Sequence, residues 1–137
     1  KNLTSTGTRN AGGLGWQEWN PGKIEYALMN NQRPIWVDYT ADWWPTCKVN
    51  EKRVFSDKVV LAKLKELNFE FISVDDTKRR PEIALDLLRV NRSIIPVNVI
   101  YPPNYPEEPA IMIDTLFGPK EALKMLDRIQ NIMESAK

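Results

Sequence analysis

Few places in this chain can host chemistry, and the first is the stretch Val37-Asp38-Tyr39-Thr40-Ala41-Asp42-Trp43-Trp44-Pro45-Thr46-Cys47-Lys48. It holds Cys47, the only cysteine among 137 residues, where a turn from Asp42 to Thr46 gives way to helical spacing. A thiol at the amino end of a helix faces unpaired backbone N–H groups and the positive end of the helix dipole, which favour the thiolate. Asp38 lies inside an apolar run, Ile35 to Tyr39, where a carboxyl deprived of water is expected to have a raised pKa. A charge between Val37 and Tyr39 needs a reason, either proton movement or a bond to backbone or water. Asp42 reads equally as an acid beside the thiol and as a helix cap.

The absences narrow the chemistry further. With no histidine, the chain supplies neither a Ser/His/Asp nor a Cys/His nucleophile pair, nor a histidine-ligated metal site. A single cysteine excludes an internal disulfide and any multi-cysteine zinc site. We therefore expect no metal and no cofactor. The net charge of +1, with no basic block longer than Lys78-Arg79-Arg80, argues against nucleic acid as a partner. No run of about 18 apolar residues occurs, so this segment is not expected to insert into a membrane.

The elements that must position Asp38 and Cys47 follow from the same sequence. At 137 residues, 42% apolar and 27% charged, the chain has the composition of one ordinary domain with one core. Lys1 to Gly15 is polar and rich in Gly, Ser, Thr and Asn, and we read it as a flexible linker of a fragment or of a processed protein, with the domain at residues 16–137. Pro21 opens a short helix that ends at Asn30-Asn31, and the strand Ile35 to Tyr39 follows. Ser56-Asp57 restarts a second helical stretch after the turn, with Val60, Leu64 and Leu67 on one face. Phe69 to Val74 is a buried strand, so the pair forms a right-handed parallel βαβ unit with its chemistry at the strand's carboxyl end. Pro81 opens a helix with Ile83, Ala84, Leu87 and Leu88 on one side. Ile95-Pro96 then leads into the strand Val97 to Tyr101. A Pro102 to Pro109 loop, read as a rigid connector or else as a surface that recognises a partner, joins it to Ala110 to Ile113 as a hairpin, and Gly118-Pro119 starts a last helix with Leu123, Leu126, Ile129 and Ile132 or Met133 inward. Trp16, Trp19 and Trp36 are expected in the core or at its edge.

The segment Val37 to Lys48 resembles the thioredoxin active-site segment, in which a strand ends in Trp, Cys, two variable residues and Cys at the start of a helix. Extended through Val49-Asn50-Glu51-Lys52, it is closer still to the periplasmic carboxyl-terminal domain of the protein-disulfide reductase family DsbD. Pro96 stands where that fold keeps its cis proline, Tyr101-Pro102-Pro103 follows, and Leu116 to Leu123 resembles the family's lead-in to the last helix. The resemblance spans roughly Trp16 to Ile129. It implies an α/β thioredoxin fold, a central mixed β-sheet flanked by helices in the order α-β-α-β-α-β-β-α.

The resemblance also implies roles. A cysteine at position 44 would attack a disulfide, Cys47, one turn deeper on the same helix face, would resolve the mixed disulfide, and Asp38 would shuttle the proton. Pro45 pre-sets the helical φ of the first turn. Trp43 packs at the rim of the site, and a cis Pro96 would set the backbone of Ile95 opposite Cys47 to bind a substrate chain; the alternative is a trans proline at a strand start. Trp44 departs from this pattern and occupies the nucleophile position. The chain is therefore expected to turn over poorly or not at all, with Cys47 shielded. Trp44 either covers the groove, contacts a partner or tucks against the Pro96 loop. One base change converts a cysteine codon to a tryptophan codon, so a point substitution and a naturally redox-inactive relative both stand. The implied partners are thiol or disulfide proteins and a membrane-embedded electron-donor domain, in the periplasm. The rival readings are a redox-dead module that binds peptides or proteins, and a purely structural domain.

Overall fold

The computed structural model describes residues 13–43, 45–113 and 118–136, with residues 45–47 through their backbone alone. The part of the expected linker before residue 13, Trp44, and Leu116 and Phe117 of the lead-in to the last helix lie outside the described residues. In chain order the elements are β1 (Gln17–Glu18), α1 (Lys23–Leu28), β2 (Ile35–Thr40), α2 (Pro45–Phe55), α3 (Lys58–Glu66), β3 (Glu70–Asp75), α4 (Pro81–Leu87), a 3-10 turn (Leu88–Val90), β4 (Val97–Tyr101), β5 (Ile111–Ile113) and α5 (Pro119–Ser135).

The strands form one sheet in the order β1-β3-β2-β4-β5. β2 pairs parallel with β3 and antiparallel with β4, and β5 closes the edge as an antiparallel hairpin with β4. Because successive residues of a strand face opposite sides, the central strand β2, buried along its whole length, feeds two cores. Ile35, Val37 and Tyr39 pack with Ile24 of α1 and with Ile83 and Leu87 of α4. Trp36 packs on the other face with Phe55 of α2, Leu64 of α3 and Leu126 and Ile129 of α5.

Three details depart from the sequence reading. A two-residue strand, β1, pairs parallel with β3 ahead of the first expected helix. That helix begins at Lys23 rather than Pro21, because Gly22 at its cap takes a left-handed backbone with φ of 90°, open to glycine. In α4, Ile83 and Leu87, four residues apart, turn inward as expected, whereas Ala84 beside them is exposed, and so is Leu88, where the helix gives way to a 3-10 turn. The three tryptophans keep to the core or its edge: Trp36 and Trp19 are buried, and Trp16 meets the Phe55 and Phe71 rings at centroid distances of 5.2 and 4.9 Å.

Candidate functional site

Three segments converge on one edge of the sheet. Thr40 at the end of β2 lies opposite Asp75 at the end of β3, and Val97 at the start of the antiparallel β4 lies opposite Tyr39. The turn leaving β2, the loop 76–80 leaving β3 and the segment 91–96 leading into β4 therefore share that edge, where open sheets of parallel strands expose backbone to ligands.

Asp38 is fully buried in the middle of β2. Strand alternation sets it on the Trp36 face, the side covered by α2, α3 and α5. Its partners across the sheet are Ser73 of β3 and Asn98 of β4, both buried. Asp38, Ser73 and Asn98 thus form a polar row across three strands, and Asn98 accepts the Trp36 indole N–H on its Oδ1 at 2.8 Å. Neither Ser73 nor Asn98 stood out in the sequence, because only the strand register brings them level with the acid. Glu51 was also passed over. It is buried on α2, four residues after Cys47 and hence on the same helix face, a spacing that was legible.

Pro45 and Cys47 fall in the first turn of α2, with Pro45 as its first residue. Their side chains, and Trp44 as a whole, are not described, so the sequence-based roles of these three residues rest on the sequence. Asp42 is exposed, and its carboxylate pairs with the Lys48 ammonium at 3.0 Å. Its backbone N–H donates to the Thr77 hydroxyl at 2.9 Å, and the indole N–H of the next residue, Trp43, donates to the Thr77 carbonyl at 3.1 Å. Thr77 in turn donates from its backbone N–H and its hydroxyl to the Asp75 carboxylate. The loop after β3 is thereby fastened to the turn after β2, an arrangement between distant segments that no local sequence signal announces.

Trp43 is half-exposed, with the Arg79 guanidinium 4.7 Å over its ring. Beside it runs a cleft of about 350 Å³ whose apolar wall comes from Pro81, Ala84 and Leu87 and whose far side is Ile94 and the buried Ile95. Ile95 joins Pro96 through a cis peptide bond, as Tyr105 joins Pro106. Of the residues singled out from the sequence, the structure thus brings Trp43 and Ile95 to one cleft, and places Asp38 deeper, within the sheet on the α2 side. The carboxyl of Asp76, at the cleft, is raised from its ordinary range by loss of solvent, against the backbone N–H of Arg80 that it accepts at 3.0 Å. Among the described residues no group of three or more Cys, Asp or Glu is arranged to hold a metal ion, and no helix is long and apolar enough to cross a membrane.

A family model described as Thioredoxin-like matches residues 16–103. Over 60 residues, 44% of this chain, the sequence is 30% identical to the thiol:disulfide interchange protein DsbD of Campylobacter jejuni, and that segment spans only 10% of the relative's length. Among solved structures, the C-terminal domain of DsbD from Neisseria meningitidis in its oxidised form superposes with a TM-score of 0.63 at 14% identity, covering 80% of this chain and 95% of that domain. A thioredoxin from Thermus thermophilus gives 0.60 at 24% identity, covering 85% of this chain and 86% of its own. The architecture is the expected thioredoxin fold, a mixed five-stranded sheet flanked by helices.

Proposed function

Because the chain belongs to the thioredoxin-like family, we propose that it is the thiol:disulfide interchange domain of a DsbD-like protein, one whose turnover is blocked by Trp44 at the nucleophile position. The observation that carries this reading is Asp38: a fully buried acid in the central strand, six positions before Trp44, on the sheet face that α2 covers. A buried carboxyl without a task is costly, and proton exchange with the thiol segment would give this one a task.

In the active form a thiolate at position 44 attacks one sulfur of a substrate disulfide, forming a mixed disulfide and releasing the other sulfur as a thiolate that takes up a proton. Cys47 then gives its proton to Asp38 and attacks the sulfur at position 44. The domain closes its own disulfide, and the substrate leaves as a dithiol, reduced by two electrons. A membrane-embedded donor domain returns those electrons in the periplasm, with exported disulfide proteins as acceptors. With an indole at position 44 the first bond does not form, and Cys47 alone has no internal partner.

The test is reduction of insulin disulfides with a dithiol donor supplied, run on this protein and on Trp44→Cys. The variant is expected to exceed the parent by at least about tenfold, with the parent at the uncatalysed rate. If both proteins fold and neither turns over, the redox-dead binding module becomes the better reading.

A further inference from the structure

Charges of both signs surround the mouth of the Trp43–Ile95 cleft. The Asp76 carboxylate accepts the Arg80 backbone N–H, and the Arg80 guanidinium lies 3.5 Å from the Glu82 carboxylate. Arg79 differs: it is exposed, its guanidinium carbon lies 4.7 Å over the Trp43 ring, and its charge acts on the neighbouring Asp76 carboxyl, but no carboxylate among the described residues forms an ion pair with it. A guanidinium held over an indole by a cation–π contact can still offer N–H donors to a carboxylate, in the planar fork that suits it. Within a few residues of this cation, the cleft is apolar, floored by the buried Leu87 and Ile95 and edged by Ile94, which is 73% exposed. Its size suits one large apolar side chain together with the backbone of an extended segment.

We propose that this cleft receives an apolar side chain of a partner polypeptide that carries an acidic residue adjacent or next but one in sequence, its carboxylate held by Arg79. The apolar anchor supplies burial and the ion pair supplies selection among partners. This rests on the reading above that the site faces polypeptides, and it adds which polypeptides it favours.

The test uses the full chain and three synthetic decapeptides that differ only at their centre: Leu-Asp-Glu, Leu-Lys-Lys and Ser-Asp-Glu. Binding is followed by NMR titration of the Trp43 indole N–H. The Leu-Asp-Glu peptide is expected to bind about threefold to fivefold tighter than Leu-Lys-Lys, an advantage of the size given by an exposed ion pair. That advantage should shrink at about 0.3 M salt, where screening is strong. Ser-Asp-Glu should bind more weakly than Leu-Asp-Glu. Arg79→Asn should erase the charge preference, and Arg79→Lys should keep most of it; asparagine suits the left-handed backbone of this position, φ 53°. Equal affinity for the acidic and basic peptides, a preference that survives Arg79→Asn, or no binding by any of the three overturns the proposal. If Trp44→Cys reduces insulin while any of these results holds, the inference about the cleft fails alone. If Trp44→Cys is also inert, the reading it rests on fails with it.

Discussion

Thr77 offers its hydroxyl oxygen to the Asp42 backbone N–H and its carbonyl to the Trp43 indole, so one residue of the β3–α4 loop holds both described residues of the turn before α2. Replacing the hydroxyl by a methyl in Thr77→Val leaves the carbonyl bond to Trp43 and the backbone N–H bond to Asp75, and removes the two bonds made by the hydroxyl, to Asp42 and to Asp75. Urea unfolding should register a loss of about 1 kcal/mol, the usual net worth of such bonds, and Thr77→Ser should recover most of it. A Val variant as stable as the parent would show that the turn is held without Thr77. Asp38 was legible in the sequence because an acid inside an apolar strand stands out without any knowledge of pairing. Ser73 and Asn98 were not, since a lone serine or asparagine in a strand is unremarkable until the register sets it beside the acid. Thr77 was hidden for a similar reason: its partners are about 35 residues away, and loop-to-loop bonds leave no periodic trace.

Among the elements, those with strong punctuation are legible in the sequence. Pro81 and Pro119 open their helices, and the break between α2 and α3 falls at Ser56-Asp57 as their composition implies. There the Asp57 carboxylate accepts the Val60 backbone N–H at 3.0 Å, capping α3. Asp57→Ala should cost about 1 kcal/mol in chemical denaturation, and Asp57→Ser only a few tenths, because serine accepts the same bond. Equal stability of the Ala variant would mean that α3 is held by its buried Val60 and Leu64 with no help from the cap. β1 was illegible because two polar residues have no alternation to detect. It exists because Gln17 and Glu18 pair with β3 while Trp16 and Trp19 on either side are drawn onto the protein, one against Phe55 and Phe71 and the other into the opposite core. Its position is thus a consequence of tertiary burial, to which local propensity contributes little.

At the scale of the whole molecule, the sheet divides a core on the α2 side from a second core that buries the Tyr39 side chain. The Tyr39 hydroxyl donates to the Asp86 carboxylate at 2.6 Å; Arg89 donates to Asp86 at 2.7 Å and also to Glu25. One chain of bonds therefore ties β2, α4, the 3-10 turn and α1 together across 64 residues of sequence. The Arg89 bond holds the Glu25 carboxyl below its ordinary range, while burial, aided by the Asp86 hydrogen bond and charge, pushes the Tyr39 phenol well above the usual value near 10. A raised phenol pKa makes its contribution to stability complete below about pH 10, and that contribution is lost progressively as pH rises, since unfolded tyrosine releases its proton while the native hydroxyl keeps it. The stability of the parent should therefore fall between about pH 10 and pH 11 by up to about 1.4 kcal/mol per pH unit for this one group, in addition to the loss from Tyr101, which burial raises in the same direction. Tyr39→Phe should lower stability at neutral pH by about 1.5 to 3 kcal/mol, as loss of a hydrogen bond to a charged group does, and should flatten the alkaline slope by one proton's worth. Urea unfolding across that range, with phenolate absorbance recorded on the same samples, separates the two effects. An alkaline slope identical in parent and variant would mean that Tyr39 reaches solvent before the fold is lost, and that the network does not span the molecule as a unit.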